Sequence, residues 1–189
     1  VYKRQAGTRA KKERTKSYNA FSSINFPYVA VIHDDHIIFY LDDKEHVSGP
    51  AVFYHNLDTR VALLKLIPSM DAGVLDYMAE HYDAVIIESF GVGGIPTRET
   101  GDFHSAIERL VRSGKTLVMT TQVTNEGSNM SVYEIGKNIK QEFGLLEAYD
   151  MTLEAVVTKL MWILGQTRDP QMVRELLYRT INRDILYPV

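Results

Sequence analysis

The sequence predicts an α/β fold: a parallel, Rossmann-like sheet flanked by helices, with a less regular stretch carrying a β-hairpin ahead of it. Three observations predict it. From residue 61 onward, short apolar runs alternate with segments of helical spacing, the pattern of strands joined by helical crossovers. Those runs are almost unbroken by polar residues, as strands covered on both faces require. Loops rich in glycine and polar residues follow the second and third runs, at the end of the sheet where such folds bind ligands.

Each element follows from its residues. Residues 28–32 (YVAVI) and 37–41 (IIFYL) are β-branched and aromatic, and flank His33-Asp34-Asp35-His36; they read as a hairpin with a polar tip. Residues 55–60 (HNLDTR) are a polar linker or boundary, which divides the chain into 1–54, 55–60 and 61–189. Residues 61–67 (VALLKLI) are the first buried strand, ended by Pro68-Ser69-Met70. Val74, Leu75 and Met78 give 71–81 a helical period, and 84–89 (AVIIES) is the second strand. A glycine-rich turn leads to a helix over 100–113, for which Gly114 is the stop signal. Residues 116–120 (TLVMT) are the third strand, followed by a polar loop and a helix through Val132, Ile135 and Ile139. Helices over 152–164 and 170–180 close the chain; Pro170 suits a first turn, where its missing N–H has no partner. Met151, Met161 and Trp162 lie on an apolar face at helical spacing and are expected in the core.

Composition narrows the function classes. The 189 residues include 21 basic and 24 acidic side chains and no cysteine. Disulfide scaffolds, thiolate zinc sites and cysteine nucleophiles are thereby excluded. No apolar run approaches the roughly 18 residues of a membrane-spanning helix, so a soluble, intracellular chain with no membrane partner is expected. Seven basic residues and one acidic residue, Glu13, fall within the first 16. A nucleic-acid arm would explain that head. Without aromatic interleaving, a solvated loop or the stub of a longer domain explains it better, and a start at Val1 rather than methionine favours the stub. No nucleic-acid partner is expected.

The candidate site lies in the loops 89–98 and 120–131. Residues 90–96 (FGVGGIP) resemble a phosphate loop in glycine content only: the spacing is neither G-x-G-x-x-G nor Walker A, and Pro96 removes an amide donor. A tight strand-to-helix turn is the plainer account, and no cofactor is expected. His33, Asp34, Asp35 and His36 are metal-ligand types, but no third cluster joins them, and no metal site is expected. Hydroxyls are abundant at Ser89, Thr97, Thr120, Thr121, Ser128 and Ser131. Neither a Gly-x-Ser-x-Gly elbow nor a Ser-x-x-Lys motif accompanies them, so the residues show no complete catalytic set.

A family resemblance extends this reading. Residues 83–96 (DAVIIESFGVGGIP) resemble the central strand and loop of the C-terminal domain of asparaginases. Thr120-Thr121-Gln122-Val123, residues 130–136 (MSVYEIG) and residues 150–160 (DMTLEAVVTKL) are similar to later segments of that domain. Gly7-Thr8-Arg9-Ala10-Lys11-Lys12 and Asn19-Ala20-Phe21-Ser22-Ser23 resemble the end of the N-terminal domain in the type I, cytoplasmic branch. The likeness runs in order from about residue 6; residues 1–5 match nothing in the family.

The resemblance implies an enzyme that hydrolyses L-asparagine to L-aspartate and ammonia through a threonine nucleophile. It implies a homo-oligomer, dimer or tetramer, in the cytoplasm. The family's nucleophile lies in a Thr-Gly-Gly-Thr-Ile motif and its activating threonine in a Gly-Thr-Asp-Thr motif, both absent from these residues. The chain thus looks like a C-terminal portion: 1–54 a remnant of the N-terminal catalytic domain, 61–189 the C-terminal domain. No catalytic residue is assigned within it. Gly94, Tyr133 and Glu134 match positions that complete the site of a neighbouring subunit. Lys11, Glu88 and Val123 match a second pocket, where some type I members bind asparagine with an arginine in place of Glu88 and a cysteine in place of Val123. A glutamate repels the carboxylate that an arginine would clamp, so that regulation is expected to be absent or to use a different ligand. Two other readings stay open: the amidohydrolase module of a glutamyl-tRNA(Gln) amidotransferase subunit, and a non-catalytic α/β module that binds a small ligand.

Overall fold

The computed structural model describes residues 2–41, 49–96, 102–132 and 134–186. The first forty residues hold five short strands: β1 (Tyr2–Arg4), β2 (Ala10–Lys12), β3 (Phe21–Ser23), β4 (Ala30–His33) and β5 (His36–Phe39). β4 and β5 form the expected hairpin, with His33 opposite His36. Asp34 turns it at φ 49°, a left-handed conformation that a short polar side chain tolerates. β2 pairs with β3, and β1 adds antiparallel to the other side of β4. Residues 2–4, which match nothing in the resemblance, are therefore built into a sheet, Lys3 opposite Val31. Three-residue strands carry too little alternation to be read in advance.

The regular part runs β6 (Val61–Lys65), α1 (Gly73–His81), β7 (Ala84–Ser89), α2 (Phe103–Arg112), β8 (Thr116–Thr121), α3 (Glu134–Phe143), β9 (Leu146–Glu147), α4 (Leu153–Gln166) and α5 (Pro170–Tyr178). The four strands are parallel in the order β6-β7-β8-β9. No helix among the described residues is long and apolar enough to cross a membrane.

Each strand divides its side chains between two layers. Ala62, Leu64, Val85, Ile87 and Met119 face Leu75 of α1, Phe103 and Ile107 of α2, and Ile139 of α3. Ala84, Ile86 and Val118 face Val156, Leu160 and Ile163 of α4 and Val173 and Leu177 of α5. β7 is buried at all six positions, which is why its sequence is an unbroken apolar run up to Glu88. Side-chain caps set the helix starts: Asp102 accepts from Ser105 N at 3.1 Å, Thr152 from Ala155 N at 3.2 Å and Asp169 from Met172 N at 2.8 Å, each contributing about 1 kcal/mol. Gly114 follows α2 at φ 77°, as its stop signal requires.

The basic head is not simply a solvated loop. Arg9 is fully buried. Its guanidinium donates from Nε to Arg183 O at 2.6 Å, from Nη1 to Asp150 O at 2.5 Å and from Nη2 to Asp150 Oδ2 at 2.7 Å. Thr8 Oγ1 donates to Asn182 O at 2.6 Å, and Thr152 Oγ1 to Thr8 O at 2.7 Å. A buried guanidinium is tolerated only when its donors are satisfied, and here Arg9 ties the N-terminal strands to the loop before α4 and the tail after α5.

Candidate functional site

The cavity of interest opens at the carboxyl ends of the parallel strands, where a fold of this class presents ligands. It encloses about 180 Å³, and Lys11, Glu88 and Val123, the second-pocket residues taken from the resemblance, all line it. The register explains its floor. Lys65 stands opposite Glu88 and Glu88 opposite Thr120. All three continue the alternation of Ala84, Ile86 and Val118, so they project on the α4 side of the sheet. Thr152 and Leu153, at the start of α4, form the facing wall. Lys11 and Asn25 close it from the N-terminal segment that Arg9 anchors.

The walls are fixed by hydrogen bonds. Gln122 Nε2 donates to Leu66 O at 2.6 Å and to Glu88 O at 3.1 Å, tying the ends of β6 and β7 together. Thr121 Oγ1 donates to Gly91 O and accepts from Val123 N at 3.0 Å. Asn25 donates to Asp150 O at 3.2 Å and accepts from Glu126 N at 2.8 Å. Lys11 Nζ pairs with Glu154 at 3.0 Å. Glu88 is buried, at 9% exposure, beside these groups.

The second predicted group is placed differently. Gly94 lies in the turn after β7, where Phe90 and Gly94 exchange backbone bonds of 2.8 and 2.7 Å. Glu134 is exposed at the first residue of α3, and Tyr133 lies outside the described residues. The turn and the helix start share a support in Met130, which is fully buried. A Cβ on Gly93, at φ 151°, would lie 3.0 Å from Met130, and one on Gly136 2.7 Å from Met130 O. These two glycines are needed for close approach. Met130 N in turn donates to Glu147 Oε1 at 2.8 Å, and Glu147 Oε2 accepts from Lys140 at 2.5 Å. Burial works against the Lys140 cation, but its bonds to Glu147 and Tyr149 outweigh that and hold it above the ordinary lysine value.

Among the described residues no serine or threonine hydroxyl is bonded to a histidine or lysine; Ser89 Oγ donates to Thr120 O at 2.6 Å instead. No cluster of three or more His, Asp or Glu side chains among them is placed to hold a metal. The 90–94 turn closes on its own carbonyls rather than presenting a row of amides. Asn25 and Lys65 were missed as site residues: Asn25 reaches the cavity across 125 positions, and nothing local marks it. Lys65 could have been found from strand register once the three strands were aligned.

A parallel sheet covered by helices on both faces, with a cavity outside its carboxyl strand ends, defines an α/β domain of the open-sheet class. Residues 60–177 match the Glutaminase/Asparaginase C-terminal domain, and the chain belongs to that family. The L-asparaginase of Thermococcus kodakarensis is 36% identical over 180 residues, which are 95% of this chain and 53% of that protein. A glutamyl-tRNA(Gln) amidotransferase subunit of Pyrococcus furiosus is 32% identical over 174 residues, 90% of this chain and 39% of that protein. Among solved structures, the thermostable L-asparaginase from Thermococcus kodakarensis matches with a TM-score of 0.88 at 35% identity, covering 96% of this chain and 54% of that one. L-asparaginase I from Vibrio cholerae, with a TM-score of 0.80 and 22% identity, shares the fold. The chain spans about half the length of the L-asparaginases it matches.

Proposed function

We propose that this chain is the C-terminal portion of an L-asparaginase, which hydrolyses L-asparagine to L-aspartate and ammonia by a threonine nucleophile supplied outside these 189 residues. One observation carries the reading: sequence and shape agree with the Thermococcus L-asparaginase over 95% and 96% of the chain. On this reading residues 1–54 are the tail of the catalytic domain, 55–60 the connection and 61–189 the C-terminal domain. The Arg9 anchor supports treating both parts as one unit. The turn at Gly94, with Tyr133 and Glu134, closes the site of a neighbouring subunit in a cytoplasmic homo-oligomer, and the shared Met130 support keeps that surface in place.

Ammonia release from L-asparagine tests this, with the chain alone and mixed with a separately expressed N-terminal half of a close relative. Activity is expected only in the mixture. Activity of the chain alone would show that the nucleophile lies within it. Silence in both, from folded and associated chains, would favour a binding module. The similarity to the amidotransferase subunits makes glutamine the informative second substrate: a mixture that prefers it would place the chain with them.

A further inference from the structure

We propose that a separate cavity, at the amino ends of β8 and β9, binds an apolar molecule carrying a single carboxylate, of the class of a medium-chain fatty acid. Its volume is about 400 Å³, within the range of small-molecule sites. It lies at the opposite end of the sheet from the cavity described above, and none of its described lining residues precedes Val111. The sheet explains why there is space. β9, last in the strand order, has two residues and pairs only with Val118 and Met119. Beside Thr116 and Leu117 the sheet therefore has no fourth strand among the described residues. Leu117 and Leu145 belong to the core layer of α1, α2 and α3, and Leu146 and Val173 to that of α4 and α5. The cavity opens where the two layers meet without a strand between them, and these four buried side chains line it. Phe143 and Pro170 extend the apolar wall.

The charged lining is all of one sign. Lys115, Arg168 and Arg174 line the cavity, and no acidic side chain does so among its described residues. Two of these cations have partners. Arg168 Nη2 donates to Asp58 and, at 3.1 Å, to Asp83; Lys115 and Arg60 also pair with Asp83, at 3.3 and 2.9 Å. Three cations thus share two carboxylates, which leaves one positive charge over. Arg174 is exposed, with its guanidinium 5.3 Å from the Tyr178 ring centroid, and pairs with no carboxylate among the described residues. Its planar fork suits a carboxylate. An apolar body would be drawn to the uncovered leucine and valine side chains, with its head group at the rim. A cation of the same shape would be repelled by that rim, and a small anion would gain nothing from the apolar floor.

Calorimetric titration of the chain with octanoate at neutral pH tests the assignment, and stands apart from any hydrolytic activity. Octylammonium, with the opposite charge on the same body, and acetate, with the charge and almost no body, serve as controls. Saturable binding of one octanoate per chain is expected, with little or none of either control. Hexanoate, two methylenes shorter, is expected to bind about tenfold more weakly. Arg174→Gln removes an exposed cation that has no ion pair, so the fold should be unchanged, and it is expected to weaken octanoate about tenfold. Undetectable octanoate binding, equal binding of octylammonium, equal affinities for hexanoate and octanoate, or an unchanged affinity in the Arg174→Gln protein would each overturn the proposal.

Discussion

Arg9 shows how much one side chain can hold. Its three bonds to the Asp150 and Arg183 region leave no donor facing solvent, and Asp150 also accepts from Asn25 and from Leu186 N. Removing the guanidinium leaves that carboxylate half-buried and short of partners. Arg9→Met is expected to destabilise the fold by about 3–5 kcal/mol, and Arg9→Lys by less, because an ammonium keeps the charge but not the fork. Urea unfolding checks both, and an unchanged midpoint for Arg9→Met would show that the anchor contributes nothing. None of this was legible in the sequence, where Arg9 is one of seven basic residues in a polar head. Burial of a charge depends on partners more than a hundred positions away, and composition averages over them. The cavity was partly legible. Lys11, Glu88 and Val123 came from the family resemblance, and the structure places all three on one cavity. The bonds from Gln122 to the strand-end carbonyls came from no local pattern, because their acceptors are main-chain atoms that any residue could supply.

Among the elements, the strands and helices with clear periods were readable, while side-chain caps set the helix starts, as at α2, which begins at Phe103 rather than at 100. Asp102 and Thr152 start α2 and α4, and Asp169 with Pro170 starts α5. The period misled at Val132, expected on the core face of a helix. A short 3-10 turn over Met130–Val132 precedes α3, which buries Met130 and leaves Val132 exposed. β9 has two residues and could not show a period at all. Helix pairing adds a pH dependence. Arg109 of α2 donates from Nε and Nη2 to both oxygens of Asp76 on α1, at 2.9 and 2.8 Å. Those bonds hold the Asp76 carboxyl below its ordinary 3.8, against the smaller opposing effect of burial. A carboxyl depressed in the folded state contributes stability above its unfolded pKa and loses it as pH falls through the folded value. The difference in urea midpoint between the native chain and Arg109→Gln is therefore expected to hold from neutral pH down to about 4 and to close below it. A difference that persists unchanged at pH 2 would exclude the ionised Asp76 as its source.

The whole molecule is unevenly covered. Its sheet core is closed on both faces by helices, while the N-terminal strands are open: Ile37, Ile38, Phe39 and Tyr40 are all exposed, and so are Val52, Phe53 and Leu57. Among the described residues β5 pairs only with β4, and an unpaired strand edge is a condition under which chains associate. The chain studied by itself is expected to self-associate with rising concentration in sedimentation velocity. Phe39→Lys should weaken that association by about tenfold, the effect of uncovering one aromatic side chain. A monomer at every concentration would show that these side chains form no adhesive surface. The anchor between the two parts also sets an order of events during synthesis. Arg9 leaves the ribosome 141 residues ahead of Asp150 and 174 ahead of Arg183, a delay on the order of ten seconds at cellular elongation rates. Through that interval its guanidinium lacks the acceptors at Asp150 and Arg183 that it holds in the fold. The parallel sheet, built from neighbours in the chain, can assemble first, and the segment that carries Arg9 is locked onto it afterwards.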